Sequence, residues 1–280
     1  MTDSPLVSVL MTAYNREKYI GFAIESVLAS SYQHWELIVV DDISSDNTLS
    51  IVRGYAEKDS RIRLYINEKN LGDYPNRNKA ADYAKGKYLK YVDADDYIYP
   101  WGLELLVQMM EKFPEAGWGL CSLIQIPAKP YPFLLNSKEA YEHHYSGQDI
   151  FNKAPLSSIL RRDAFLAIGG FTPLRMVGDF DMWHKMAMSF PVLLMPDGMV
   201  WYREHEEQEM SSYNKYIVSY EEQRLKYLRD PRCPLSTSRV KEIIRKKRRS
   251  LAISAVSSLL RFRFSSASGN FKAWLFYLGK

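Results

Sequence analysis

The sequence predicts an α/β fold: a mostly parallel central sheet flanked by helices, followed by a helical C-terminal extension. Three observations carry that reading. Through residue 126, β-branched apolar runs alternate with helix-length periodic segments, the pattern of βαβ units. The 280 residues are 46% hydrophobic and 25% charged, enough for a sizeable core and incompatible with wholesale disorder. Beyond Ser211 the pattern is helical, broken at Pro231 and Pro234.

The elements follow in order. Val7–Thr12 is a β-branched run and Lys18–Ala29 an apolar-periodic helix. Glu36–Val40 is a second strand, and Thr48–Glu57, capped by Asp46 or Asn47, a second helix. Arg61–Ile66 alternates as a strand. Pro75–Ala84 is helical, Tyr88–Val92 strand, Leu103–Phe113 helical and Gly119–Ile126 strand. From Pro127 to Asn152 the pattern dissolves into Pro, Tyr, His and Gly, which predicts a long loop over a site. Ser157–Leu160 reads as strand and Arg162–Ala167 as a short helix capped by Gly169-Gly170. Phe180–Phe190 is a helix stopped by Pro191, and Val192–Met195 and Met199–Tyr202 are short strands. No internal repeat and no low-complexity tract is present.

Charge divides the chain unevenly. Residues 239–280 hold 11 Lys/Arg against Glu242, a net of +10, while residues 1–238 carry a net of −6. An acidic body with a basic tail implies an appended surface-seeking segment. Val240, Ile244, Leu251, Ala255, Leu259 and Phe262 share one side of the tail at helical spacing, which suits a helix lying on an anionic membrane. Packing on the body, or a homodimer contact, is the alternative. No nucleic-acid module is legible, so no nucleic acid is expected. Two cysteines, Cys121 and Cys233, exclude a disulfide scaffold and a CxxC site and imply a reducing compartment. Met1 to Leu6 has neither a basic nor an apolar leader region, so no signal peptide is expected. No run reaches the roughly 18–20 apolar residues that cross a bilayer. The expected location is the cytoplasm, peripheral to the inner face of the cell membrane.

Chemistry concentrates where strands end. Tyr91-Val-Asp93-Ala-Asp95-Asp96 places three carboxylates within four residues, a repulsive arrangement unless a cation compensates. Mg²⁺ or Mn²⁺ takes hard oxygen ligands, commonly one or two carboxylates plus substrate phosphates. The alternative is simpler: an acidic cluster that opens the next helix. Asp41-Asp42 closes the second strand in the same way. In a parallel sheet such strand ends border the ligand crevice.

Six segments in order resemble the family 2 glycosyltransferases, enzymes of the GT-A fold. They are Val7-Ser-Val-Leu-Met-Thr-Ala-Tyr-Asn15, Val39-Val-Asp-Asp-Ile-Ser-Ser-Asp-Asn-Thr48, Asn70-Leu-Gly-Asp-Tyr-Pro-Asn-Arg-Asn78, Tyr91-Val-Asp-Ala-Asp-Asp96, Gly178-Asp-Phe-Asp-Met-Trp183, and Tyr202-Arg-Glu-His205 with Ser211. The resemblance covers residues 6 to about 212 and implies a GT-A domain over 1–212, with 213–280 as a basic helical segment. It implies that Thr12, Tyr14, Asp41, Asp42 and Arg77 hold the nucleotide, that Asp93 takes the ribose, and that Asp95 and His205 serve the metal beside the diphosphate. Asp179 fits the general base that inversion requires on the face opposite the leaving group. Asp181 and Trp183 are assigned to acceptor or sugar contacts. Two departures stand out. Gly178 replaces the family's glutamate, a helper carboxylate for which Asp181 is a candidate substitute, and Ile43 replaces the glycine usual after Asp-Asp.

Each residue also has a plain reading. Asp179 and Asp181 are acids at a helix start, favoured by its dipole. Trp183 is a core aromatic, Arg77 a surface partner of Asp73, and His184 a helix surface residue. His143 and His144 have no carboxylate at ligand spacing and receive no role. His205 stands out only through Arg203 and the strand ending at Tyr202.

The expected reaction is inverting transfer of a sugar from a nucleotide-diphosphate donor, UDP-sugar by family habit, to a hydroxyl of a glycan or lipid-linked acceptor in cell-surface polysaccharide synthesis. A sugar nucleotidyltransferase would need a glycine-rich phosphate loop, and Thr12-Ala-Tyr-Asn-Arg-Glu17 has no glycine. A silent nucleotide-sugar-binding membrane adaptor would be expected to lack one of Asp93, Asp95, Asp179 or His205, and all are present. A dehydrogenase is disfavoured because no G-x-G-x-x-G follows a strand.

Overall fold

The computed structural model describes residues 4–124, 126, 129–205, 215–260 and 264–277. Its strands β1 (Val7–Ala13), β2 (Trp35–Asp41) and β4 (Tyr88–Tyr91) are buried on both faces, which is why they read as nearly continuous apolar runs. With β3 (Ile62–Ile66) they form the parallel half of an eight-stranded sheet. The order is β3-β2-β1-β4-β8-β6-β9-β7, where β6 is Trp118–Leu123, β7 Phe133–Leu135, β8 Ser158–Arg161 and β9 Val192–Pro196. Strand β8 runs antiparallel to both β4 and β6, and β7 antiparallel to β9, while β6 and β9 are parallel. A two-stranded ribbon pairs β5 (Tyr97–Ile98) with β10 (Val200–Trp201).

Alternation along the strands sends side chains to two separate cores. Val7, Val9 and Met11 of β1 pack beneath α1 (Ile20–Leu28), α2 (Thr48–Ala56) and α4 (Gly102–Lys112). Leu10 faces the other way, into a core shared by α3 (Asp73–Asp82), α5 (Ser137–His143), α6 (Arg162–Ala167) and α7 (Gly178–Ser189). The start of α2 is secured by Asp46, whose Oδ1 accepts from the Thr48 N–H (3.0 Å) and hydroxyl (2.5 Å). Gly169 and Gly170 both have positive φ, 75° and 67°, and turn the chain out of α6.

Three expectations change. The segment assigned to a loop at 127–152 contains β7, α5 and a π-helical turn over His144–Gln148; residues 127 and 128 lie outside the described residues. Asn136 opens α5 with a capping box, accepting from Glu139 N (3.0 Å) while its own N–H donates to Glu139 Oε2 (2.9 Å). His184 is fully buried rather than on a helix surface, because α5 covers one side of α7 and α8 (Ile217–Arg229) another. Its ring stacks on Tyr227 at 4.7 Å.

The third change concerns the tail. Tyr220 and Leu228 of α8 and Ile243 of α9 (Thr237–Leu260) belong to the core beneath α7. The side of α9 expected to lie on a membrane turns inward instead: Leu251 and Ala255 are buried, and Leu251 packs with Leu225 of α8 and with Ala273 and Tyr277 of the segment that includes α10 (Phe264–Phe276). Buried Glu221 joins the three helices, accepting from Arg224 Nε (3.1 Å), Lys247 Nζ (2.9 Å) and the Tyr277 hydroxyl (2.6 Å). Leu259 of the expected face stays half-exposed, and Phe262, Ser211 and the division at residue 212 lie outside the described residues.

Candidate functional site

The chain leaves β1 toward β2 on one side and returns to β4 on the other, so the carboxyl ends of β1 and β4 diverge. Such a switch point is where open α/β sheets make a crevice. Here it opens into a cleft of about 620 Å³, well within the size of small-molecule sites. Thr12, Tyr14, Asp42, Arg77, Asp93, Asp95 and Asp179 all line it.

The paired acids at the end of β2 do different things. Asp41 is fully buried and outside the lining; its carboxylate accepts from the Ser44 N–H (2.8 Å) and hydroxyl (2.5 Å) and braces the turn after β2. That turn puts Ile43 at φ 64°, the left-handed region where glycine is at ease and a β-branched residue is not. Asp42 reaches the cleft, with its carboxylate held by Asn67 Nδ2 (2.7 Å) and by the N–H groups of Leu71 and Gly72 (both 2.8 Å). Gly72 sits at φ 81°, so the loop can bend both N–H groups onto one carboxylate.

Arg77 comes from the buried face of α3 and forks onto Asp93, Nη1 to Oδ1 at 2.6 Å and Nη2 to Oδ2 at 3.1 Å. Its Nε also donates to Asp73 at 2.8 Å, so the surface pair expected with Asp73 is one arm of a triad centred on a buried guanidinium, with Asp73 itself at the exposed end. Burial alone would lower the Arg77 pKa, but the two carboxylates outweigh it and hold the guanidinium charged.

At Asp95, Oδ2 lies 3.1 Å from both His205 Nε2 and Arg16 Nε. Neighbouring Asp96 is buried and accepts from the Arg203 N–H at 2.9 Å, while Arg203 Nε donates to the Asp95 carbonyl at 2.8 Å. Burial first, and then the charge of Asp93, pushes the Asp96 pKa up to about 8. Among the described residues no group of three or more His, Cys, Asp or Glu is placed to hold a metal. A carboxylate oxygen and an imidazole nitrogen do converge, a donor pair suited to an ion that takes its remaining ligands from substrate phosphates and water.

Asp179 occupies the first turn of α7, where the Phe180 N–H donates to its Oδ1 at 2.7 Å. Enclosure by protein pushes its pKa up to about 7, with the charge of Asp73 adding to the effect; the Phe180 N–H, Arg77 and the Tyr74 hydroxyl oppose it. Asp181 and Trp183, expected at the acceptor or sugar, are absent from the lining. Asp181 is fully buried and holds Thr172 Oγ1 (2.6 Å), the Tyr227 hydroxyl (2.6 Å) and Lys226 Nζ (2.9 Å), so it does not replace the missing helper carboxylate. Trp183 is core, stacked on Trp118 at 5.2 Å with its Nε1–H on the Lys153 carbonyl.

The cleft adds residues to which the sequence reading gave no role: Arg16, Tyr74, Asp96, Arg175 and Tyr220. Arg16 and Asp96 stand inside or beside quoted motifs, where position was a usable signal. Tyr220 reaches the cleft from α8 through tertiary packing, with its hydroxyl on the Met176 carbonyl at 2.7 Å, and no local pattern announces it.

The sequence profile described as Glycosyl transferase family 2 matches residues 8–169, more than half of the chain. The chain belongs to that family. It is 41% identical over 107 residues to TuaG of Bacillus subtilis (strain 168), whose name assigns it to teichuronic acid biosynthesis; the match spans 38% of this chain and 41% of TuaG. It is 44% identical over 110 residues to WfgD of Escherichia coli, named UDP-Glc:alpha-D-GlcNAc-diphosphoundecaprenol beta-1,3-glucosyltransferase, over 39% of this chain and 43% of WfgD. The chain thus matches about two fifths of the length of these relatives. Its fold is shared with the mannosyltransferase PcManGT of Pyrobaculum calidifontis, solved in complex with GDP-Man and Mn²⁺, at 18% identity and a TM-score of 0.67, covering 99% of this chain and 88% of that one. The architecture is GT-A, as the motif order led one to expect.

Proposed function

We propose that this chain is an inverting, divalent-cation-dependent glycosyltransferase that moves a sugar from a UDP-sugar to a hydroxyl of a glycan or lipid-linked acceptor in cell-surface polysaccharide synthesis. The observation that carries the reading is a single cleft that gathers Thr12, Asp42 and Asp93 around the strand ends together with Arg77 on α3 and Asp179 on α7. Tyr14, half-exposed at the rim, supplies a ring for the base. Asp42 accepts from the nucleotide base, with Asp41 bracing the turn beneath it, while Asp93, anchored by Arg77, receives the ribose. Asp95 and His205 hold Mn²⁺ or Mg²⁺, which supplies Lewis-acid stabilisation of the leaving diphosphate. Asp179, with its pKa near neutrality, takes the proton of the acceptor hydroxyl. The UDP-Glc in the name of WfgD supports the donor, and the Mn²⁺ bound with GDP-Man in PcManGT supports the cation.

The acceptor reading draws support from the tail. Ile253, Val256, Leu259 and Leu260 are exposed at the C-terminal end of α9, next to the basic run that ends in Arg248 and Arg249. Apolar residues beside clustered cations suit the surface of an anionic bilayer, where a lipid-linked acceptor resides. No helix among the described residues is long and apolar enough to cross a membrane.

Calorimetric titration of UDP, GDP and dTDP, each with Mn²⁺ and with EDTA, tests the donor and the cation together. UDP binding that requires Mn²⁺ is expected. Equal affinity in EDTA removes the cation from the reading, and preference for another nucleotide replaces the donor.

A further inference from the structure

The first turn of α7 is built around a tyrosine from another helix. A Cβ placed on Gly178 would meet Tyr74 Cδ2 at 2.6 Å and Cε2 and Cγ at 2.7 Å, closer than real side chains tolerate. The Tyr74 ring therefore lies against the backbone of residue 178, one position before Asp179. Phe171 backs it at 5.5 Å, and the ring is only 6% exposed, so its position is fixed on both sides. Both Tyr74 and Asp179 line the cleft.

We infer that Tyr74 is the positioning residue for the Asp179 carboxylate, with its phenol O–H as a second donor beside the Phe180 N–H, and that Gly178 is the gap that admits its ring. The assignment rests on reading Asp179 as the base. One donor fixes one oxygen of a carboxylate; two fix its plane and leave a defined lone pair for the acceptor hydroxyl. The role needs a phenol that stays protonated. Burial, with the charges of Asp179 and Asp73, raises the Tyr74 pKa well above its usual value, so the O–H persists through the working range. Its hydroxyl also favours ionised Asp179, against the enclosure that favours the neutral acid. The other titratable groups acting on this carboxylate are Asp73 and Arg77 from α3, and Arg175 from the loop before α7, Tyr220 from α8, Asp93 and Tyr202 share the cleft lining with it.

Tyr74→Phe keeps the ring and removes the donor. Carbon-13 NMR of the Asp179 side-chain carboxyl is expected to show its titration displaced upward by roughly half a pH unit or more, as for loss of a hydrogen bond to the charged form. The acidic limb of kcat/KM should follow by the same amount, with UDP affinity unchanged. Gly178→Ala displaces the ring and should reproduce the upward shift, whereas in a Tyr74→Ala background it should add none. An Asp179 titration in Tyr74→Phe that superimposes on the parent protein overturns the assignment. Asp179→Asn separates the two ideas. If that variant retains full transfer, the base reading fails whatever Tyr74→Phe does; if it is inactive while Tyr74→Phe titrates normally, only the role of Tyr74 fails.

Discussion

Arg77 and Asp93 form a two-pronged pair, 2.6 and 3.1 Å, across the floor of the cleft, and the same guanidinium holds Asp73 at 2.8 Å. One side chain thus fixes a carboxylate just beyond β4 and another at the start of α3, and so sets the shape of that wall of the cleft.

Arg77→Lys keeps the charge but cannot fork. Charge-assisted hydrogen bonds contribute about 1.5–3 kcal/mol each, so urea unfolding should show a loss of about 2 kcal/mol. Nucleotide affinity should fall roughly tenfold, equivalent to about 1.4 kcal/mol, because Asp93 is released from its bound orientation. Unchanged stability and affinity would show that the fork is dispensable.

Asp179→Asn should leave UDP affinity intact and lower kcat by about 10²–10⁴, the usual contribution of a general base. In the parent protein, activity should rise with pH through about 7, where the carboxyl ionises. Stability moves the other way. The folded pKa lies above the unfolded value, so the folded state holds the proton more tightly, and this group's contribution to stability declines as pH rises from the unfolded pKa toward about 7. Asp179→Asn should therefore melt at or above the parent temperature at pH 8, with the gap closing at pH 4. Thermal melts at the two pH values check the sign.

Ile43→Gly should stabilise the fold. A β-branched residue at φ 64° carries strain on the order of 1–3 kcal/mol. Glycine relieves it and returns up to about 1 kcal/mol as unfolded-state entropy. The net gain should be about 0.5–1 kcal/mol in urea unfolding. A loss instead would mean that the half-exposed Ile43 side chain makes contacts worth more than the strain.

Asp95→Asn should make UDP affinity the same in Mn²⁺ and in EDTA, since it weakens the carboxylate shared by His205 and Arg16. Retention of the full metal effect would move the cation elsewhere in the cleft.

Ile253→Glu with Leu260→Glu should abolish sedimentation with phosphatidylglycerol vesicles while leaving the melting temperature unchanged, because both side chains are exposed. Binding that persists in the double variant would assign the attraction to the basic run alone.

The sequence exposed the first half of this molecule more fully than the second, for a physical reason. Strands β1, β2 and β4 are buried on both sides and end in or run into polar residues, so apolar run and polar terminus are both visible along the chain. His184 and Trp183 look like members of an ordinary amphipathic helix; their burial depends on α5 and α8, which arrive from distant sequence. Helix α5 hid within Pro- and Tyr-rich sequence, although Asn136-Ser-Lys-Glu139 carries its capping signal in plain view. The tail's apolar face was legible as a face, but its partner was not, because Glu221, Lys247 and Tyr277 meet only in three dimensions.

The cleft's lining divides by chain position. Thr12 to Asp96 furnish one set of side chains, and Ala154 to Tyr220 the other. The family profile ends at residue 169, before Arg175, Asp179 and Tyr220. On the proposed roles the first set serves the donor and the second the acceptor, so the two can change separately: donor chemistry can stay fixed in the first hundred residues while the later segment takes on new acceptors. On those roles, strand β6, which lies in sequence between the two sets, is the place to join a chimaera that exchanges one specificity without disturbing the other.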